Sequence, residues 1–337
     1  MARETATFLG YPFDSELFMQ AWTETPDTRL TAMLDSGALV NDAAIASRIQ
    51  NDGNLYTIPF YNILEGDEAN YNGMVDVPIT ETTATSQSGI VYGRSKGFSA
   101  RNFQAELSGA DPMGHIAGTV AKYWSNKEQN RLIKIVDGIF ATTDSGTFAT
   151  EFKETHVLRT GDTVGITDAN RLMTKSLGDH KQNFGMAIMH SHVAETLENL
   201  QVLEFWKQTL ASGIQRPSNI ASWNGLVVII DDSVPYNDTN EEYTTYLFGN
   251  GAIRTANARL DVPSEVDRDP IKNGGVDMLI TRIRKTVHPN GFSFVVPSSF
   301  EESPTDAHLA DGANWKVIFD PKAIAIAKLI TKGDGTI

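Results

Sequence analysis

Between Asn51 and Asp111 the chain has strand patterns at both ends and little core-forming pattern between them. The ascending stretch is Leu55-Tyr-Thr-Ile-Pro-Phe-Tyr-Asn-Ile63, and the returning one is Ile90-Val-Tyr-Gly-Arg-Ser-Lys-Gly-Phe98. From Glu65 to Gly89 the sequence is Gly, Asp, Asn, Thr and Ser with isolated apolar residues. Paired as one hairpin with arms of roughly 20 residues, these stretches reach about 60 Å at about 3.3 Å per residue. A compact chain of this length has a radius of gyration of only about 20 Å. Such an arm does not fold back easily into its own domain. It is expected to lie on a neighbouring copy, which points to assembly before catalysis.

A long helix is predicted to follow. Asp111 is an N-cap residue type, and Pro112 at the first helical position loses no hydrogen bond and is already set at helical φ. Met113, Ile116, Val120, Trp124, Leu132, Ile135, Val136 and Ile139 recur at steps suited to one helical face, up to Thr142-Thr-Asp-Ser-Gly146. Roughly 30 residues at 1.5 Å each give about 45 Å, well above the usual helix length. Gly114, Gly118 and Gly138 weaken the pattern locally and imply close approach of another segment.

Residues 1–50 look peripheral, with short helices expected at Glu16–Trp22 and Pro26–Leu34. After the long helix, a second is expected from Asp168 to Gly178 and a strand at Phe184–Met189. A third helix then begins with Ser191 as N-cap. Strands follow at Gly225–Ile230, Tyr243–Phe248, Val276–Val287 and Gly291–Val296, the last two across a His288-Pro-Asn-Gly turn. Further stretches at Trp315–Phe319 and Ala323–Ile330 complete the order. Helices mixed with mainly antiparallel strands define an α+β fold class.

The 337 residues include 41% hydrophobic and 21% charged side chains, ordinary values for a globular chain. No apolar run is long enough for a membrane helix, and the N-terminus lacks a secretory pattern. Cysteine is absent, which excludes disulfides, thiolate catalysis and cysteine-based zinc sites. A net charge of −14 argues against binding nucleic acid by phosphate neutralisation, though it suits a protein that stays near DNA without gripping it.

Catalytic patterns are weak. His190-Ser-His192 with Glu195 lacks a third cluster at ligand spacing, and Ser191 fits an ordinary helix cap. Asp231-Asp232 after an apolar strand resembles a Mg²⁺-binding strand end, but no phosphate loop accompanies it. Gly249-Asn-Gly251 reads as a tight turn, and no nucleophile elbow is present. Arg282 and Arg284 share one strand face with Lys285 beside them, suited to acidic neighbours or phosphates, and otherwise a solvated face. A metal-dependent hydrolase using His190, His192, Asp231 and Asp232 is the remote alternative. No catalytic residue, cofactor or metal is expected.

The order of elements resembles the major capsid proteins of tailed double-stranded-DNA phages, whose fold is shared by encapsulin shells. Met186-Ala-Ile-Met-His-Ser-His-Val-Ala-Glu-Thr-Leu197 is similar to the family's strand-to-helix start of the axial domain. Val227-Val-Ile-Ile-Asp-Asp-Ser-Val-Pro235 and Tyr243-Thr-Thr-Tyr-Leu-Phe-Gly-Asn-Gly-Ala-Ile253 are similar to its axial core. The resemblance implies an N-terminal arm (1–50), an extended β-hairpin loop (51–100), a spine helix with the first part of a peripheral domain (101–184), an axial domain (185–265) and a return to the peripheral domain (266–337). It implies a homo-oligomer of hexamers and pentamers forming an icosahedral head around DNA, with axial loops near 200–220 and 232–242 at the capsomer centre. An encapsulin-like nanocompartment shell is the alternative. Candidate assembly residues are Tyr61, Glu65, Tyr71, Arg94, Lys96, Arg282 and Arg284. Some members weld subunits through a lysine on the extended loop, but no lysine lies between Asn51 and Ser95, so a non-covalent shell is expected. About 50 residues precede the hairpin, too few for a scaffolding extension of the family's kind. A separate scaffolding protein or none is therefore expected, with a portal and decoration proteins as further partners.

Overall fold

The structure is a computed structural model that describes residues 7–8, 11–12, 37–49, 53–62, 64, 66–72, 74, 76–109, 111–209, 215–300 and 302–333. The helices expected at 16–22 and 26–34 lie outside the described residues. The first part of the chain forms β1 (Thr7–Phe8), β2 (Tyr11–Pro12), β3 (Leu39–Asn41), α1 (Ala43–Ile49), β4 (Leu55–Tyr61), β5 (Ala84–Ile90), β6 (Tyr92–Arg101), α2 (Asn102–Ser108) and α3 (Pro112–Phe140). The middle forms α4 (Thr147–Thr155), β7 (Val157–Thr163), α5 (Asp168–Leu177), β8 (Phe184–Met189), α6 (Ser191–Asn199), β9 (Glu204–Thr209), β10 (Gln215–Trp223), β11 (Leu226–Ile230), β12 (Tyr236–Asn237) and β13 (Glu242–Gly249). The last part forms β14 (Ile253–Asn257), β15 (Ser264–Asp269), β16 (Val276–Pro289), β17 (Phe292–Phe294), α7 (Asp306–Ala310), β18 (Trp315–Val317) and β19 (Ile326–Lys332).

Among the described residues the largest sheet has eight strands, ordered β7-β19-β13-β8-β11-β10-β9 with β12 beside β13. Both faces of its centre are buried. Met186 and Ile188 of β8, with Tyr246 and Phe248 of β13, point into the cluster that holds α3. Ala187, Met189 and Leu247 point into the opposite cluster under α5 and α6. Two covered faces explain why these strands read as continuous apolar runs without alternation. The sheet is mixed: β11–β8 and β19–β7 run parallel.

A second sheet, of five strands, is built on β16. β6 pairs along one edge of it, from Val276↔Arg101 to Lys285↔Tyr92. β15 and β14 take successive stretches of the other edge. The expected pairing of Val276–Val287 with Gly291–Val296 across the 288–291 turn does not occur. β17 pairs with β18 instead, because Phe292 and Phe294 turn into the α3 core.

α3 is 29 residues long. Asp111 caps it, accepting from the Gly114 N–H at 2.9 Å, with Pro112 in the first turn. Its buried residues lie in the second half, from Gln129 to Ile139. The first half rests on the β6–β16 sheet through half-buried side chains. There Tyr123 meets Phe98 edge-on at 5.2 Å, and Trp124 Nε1 donates to Thr281 Oγ1 at 3.0 Å. At Gly138 a Cβ would come 2.9 Å from the carbonyl oxygens of Leu309 and Ala310, so the expected close approach is real there. At Gly118 nothing described lies within 4 Å. α5 ends at Gly178 with φ +58°, as its sequence predicts. α6 is capped one residue earlier than expected: His190 is the N-cap and its Nδ1 accepts from the His192 N–H at 3.2 Å.

Candidate assembly surface

The hairpin has a root held by the rest of the chain and a tip whose described large apolar side chains are exposed. In β4 the side chains of Tyr56, Ile58 and Phe60 turn inward while Leu55, Thr57, Pro59 and Tyr61 turn out. Pro59 has no N–H to donate, a loss an edge strand tolerates. β5 grows more buried towards its end, with Gln87, Gly89 and Ile90 enclosed. The Tyr56 ring lies across Gly89, where an added Cβ would overlap it at 2.2 Å. The Tyr56 hydroxyl pairs with Thr286 Oγ1 at 2.8 Å, and Thr286 Oγ1 donates to the Ile90 carbonyl at 2.7 Å. The Ser88 N–H donates to Ser293 Oγ at 3.0 Å, and Phe60 meets Phe319 edge-on at 4.7 Å.

Ladder pairing runs from Leu55↔Ile90 to Tyr61↔Ala84 and stops. This corrects the expected reach: the paired part is seven residues deep, about 23 Å at 3.3 Å per residue. It also corrects the partner of 90–98, since β6 belongs to the five-stranded sheet. Asn62 closes the paired part. Its N–H donates to the Thr83 carbonyl, its Nδ2 to Thr83 Oγ1, and its Oδ1 accepts from Thr85 Oγ1, each at 2.9 Å. Beyond Asn62 the tip exposes Leu64, Tyr71, Met74, Val77 and Ile79, each at least 70% accessible. Between Asn62 and Thr83 the sequence carries Glu65, Asp67, Glu68, Asp76 and Glu81 and no lysine or arginine. Bulky apolar groups on an acidic loop are costly to leave in water at about 25 cal/mol per Å².

The predicted site residues divide into two groups. Tyr61 and Tyr71 stand exposed on the hairpin, and Glu65 lies outside the described residues. Lys96 is exposed on β6 and away from the tip. The arginines are used within the chain. Arg94 donates to the Pro304 carbonyl and to Asp306 Oδ1, both at 2.7 Å. Arg282 donates to Glu265 Oε2 at 2.9 Å, and Arg284 to the Gly53 carbonyl and Asn54 Oδ1 at 2.8 Å. Arg284 therefore fastens the start of the hairpin. Sequence reading missed Gln87, Arg131 and Asp306. Arg131, almost wholly buried on α3, shares Asp306 Oδ1 with Arg94, and both guanidinium groups lie over the Tyr92 ring, at 4.5 and 5.5 Å.

The histidine and aspartate motifs lock a turn. Asp232 Oδ1 accepts from the Ser191 N–H at 3.0 Å, and Asp231 accepts from Ser233 and from Gln129 Nε2. His190 and His192 each pack on Tyr243, at 5.0 Å. Among the described residues no group of three or more His, Asp and Glu is placed to hold a metal, and no helix is long and apolar enough to cross a membrane.

A mixed sheet carrying a 29-residue helix, with a projecting hairpin before it, is the tailed-phage capsid fold. The capsid of Ralstonia phage GP4 superposes with a TM-score of 0.58 at 8% identity, over 90% of each chain. The SrpI encapsulin of Synechococcus elongatus superposes with a TM-score of 0.50 at 9% identity, over 95% of this chain and 96% of that one. No family model matches the sequence. The major capsid protein of Bacillus phage SPP1 is 31% identical over 308 residues, covering 89% of this chain and 91% of its own length. The chain belongs to the phage major capsid protein family.

Proposed function

We propose that this chain is the non-enzymatic tile of an icosahedral phage head, assembling into hexamers and pentamers that enclose double-stranded DNA. The observation that carries the proposal is the hairpin tip. Among its described residues it presents five exposed apolar side chains beyond a root already satisfied by its own chain. A neighbouring copy that covers the tip removes this surface from water. In this reading residues 51–100 are the extended loop and α3 is the spine that stiffens each tile. Residues 185–265 face the capsomer centre, and 101–184 with 266–337 form the peripheral domain. Tyr61, Glu65 and Tyr71 act at the contact between copies, with Lys96 at its margin. Arg94, Arg282 and Arg284 act indirectly, by setting the hairpin and its sheet. The net charge of −14 keeps the inner surface from trapping DNA as it enters. A separate scaffolding protein, a portal and decoration proteins complete the particle, which is assembled in the host cytoplasm.

The test is replacement of residues 64–82 by a short Gly-Ser link, which leaves the Asn62 clasp and β5 in place. The shortened chain is expected to fold, with an unchanged circular dichroism spectrum, and to sediment as subunits. Normal shells in electron micrographs of that variant would sink the proposal.

A further inference from the structure

The five-stranded sheet has two faces, and α3 lies on one of them. The bonds from Trp124 to Thr281 and from Lys285 to Glu128, with Phe98 against Tyr123, put Thr281, Lys285 and Phe98 on that side. Strand alternation then turns the even-numbered residues of β16 and the odd-numbered residues of β6 to the other side. Gly97 agrees with this, since a Cβ there would stand 3.9 Å from Ile280 Cγ1.

The hairpin root covers the end of this second face nearest β14. There the Tyr56 hydroxyl pairs with Thr286 Oγ1 at 2.8 Å, and Gln87 Oε1 lies 3.1 Å from His288 Nε2. Towards the far end the cover stops. Ser95, Gly97 and Ser99 of β6 are exposed, and they are small enough to leave Met278 and Ile280 of β16 only partly buried beside them.

Charge divides the bare half. On β6 and β16 its charged residues are Arg101, Arg282 and Arg284, and on β15 they are Glu265, Asp267 and Asp269. Arg282 is engaged by Glu265 at 2.9 Å, and Lys272 offsets Asp269. Arg284 is held by uncharged acceptors, the Gly53 carbonyl and Asn54 Oδ1, so its charge is not neutralised there. The β6 side is therefore smooth, apolar and cationic. The hairpin tip exposes apolar groups and carries five carboxylates with no lysine or arginine. The two surfaces are both open to water on one chain, alike in polarity and opposite in charge.

We propose that the hairpin tip of one copy seats on the β6 side of this bare face of a second copy. Its apolar groups lie over Gly97, Met278 and Ile280, and its carboxylates turn towards Arg101 and Arg284. This rests on the reading of the tip as a contact between copies. The acids of β15 repel the tip, which fixes the side of β16 that it takes. The contact joins two different patches, so its repetition builds a ring or an open chain and never a closed pair.

The chain has no cysteine, so introduced thiols report without background. Met74→Cys on the tip, where the side chain is 91% exposed, is combined with Ser99→Cys on the face. The control combines Met74→Cys with Lys134→Cys on the exposed side of α3. Each double variant is assembled, treated with a short bismaleimide and run on a denaturing gel. The tip–face pair is expected to give a ladder of linked chains in at least about tenfold the yield of the control, because seating raises the effective concentration. Equal yields, or shells without a tip–face product, overturn the docking and leave the tip's part in assembly standing. That part is read separately, from the chain with residues 64–82 replaced. A link inside one chain, seen as a shifted single-chain band, overturns the docking as well. Should a double variant not assemble, chains with one cysteine each are mixed. Product from the mixture alone supports the docking, and no product, or equal product from one variant by itself, overturns it.

Discussion

Asp306 holds two guanidinium groups on one carboxylate oxygen, Arg94 at 2.7 Å and Arg131 at 2.9 Å. Burial works to raise its pKa, but the hydrogen bonds from Arg131 and Arg94 outweigh it and hold the carboxyl at about 2. The stability it contributes is present above the ordinary carboxylate range and fades as pH falls towards 2. Asp306→Asn leaves Arg131, 4% exposed, without its counter-charge. Breaking a fully buried pair costs about 3–5 kcal/mol, and the partial exposure of Asp306 brings the expectation to about 2 kcal/mol. Urea unfolding of the folded subunit measures it. Residues such as Asp111, whose cap is made three positions away, were legible in the sequence because the chemistry is local. Gln87 and Asp306 were not. Their partners lie 201 and 212 residues distant, and only the fold brings them together.

At the scale of elements, α3 is one helix with two environments. Its second half is sealed between the sheet and α7, and Lys328 Nζ ties Asp137 to β19 at 2.8 Å. Its first half lies on one sheet through half-buried contacts. Amides of 129–139 are therefore expected to exchange only with global unfolding, and those of 115–124 at least tenfold faster in the free subunit. Exchange read by mass spectrometry checks this, and uniform protection along α3 would contradict it. Sequence periodicity announced the helix and its start but assigned one stripe to its full length. Periodicity reports which face is apolar and not how much partner lies against it. The hairpin shows the same limit. Its strands were visible as composition, but which strand returns beside β4 depended on β16, which lies far along the chain at Val276–Pro289.

At the scale of the molecule, two histidines are buried neutral. Burial lowers His156 to about 4, against the opposing effect of its hydrogen bond to the Ile324 carbonyl, and His288 is lowered to a similar value. In each case the unfolded chain binds the proton more readily, so stability is complete above about pH 6.5 and falls as pH drops towards 4. A displacement of about 2.5 units makes this up to about 3 kcal/mol per histidine. The urea midpoint is expected to drop clearly between pH 7 and pH 5, and a flat profile would refute the assignment. Assembled shells are expected to dissolve to single subunits in boiling detergent. The hairpin carries no lysine for a weld between Asn51 and Ser95, and a persistent ladder of bands would contradict this. Family membership was legible because strand and turn segments such as Tyr243–Ile253 keep their pattern through the core.

β19 has one further consequence. It lies between β7 and β13, yet it follows every other strand of that sheet along the chain. A ribosome must therefore finish the sheet's other strands before β7 acquires a neighbour among the described residues. Closure of this edge of the sheet is therefore a late event in the making of the chain, after all of the sheet's other strands have been made.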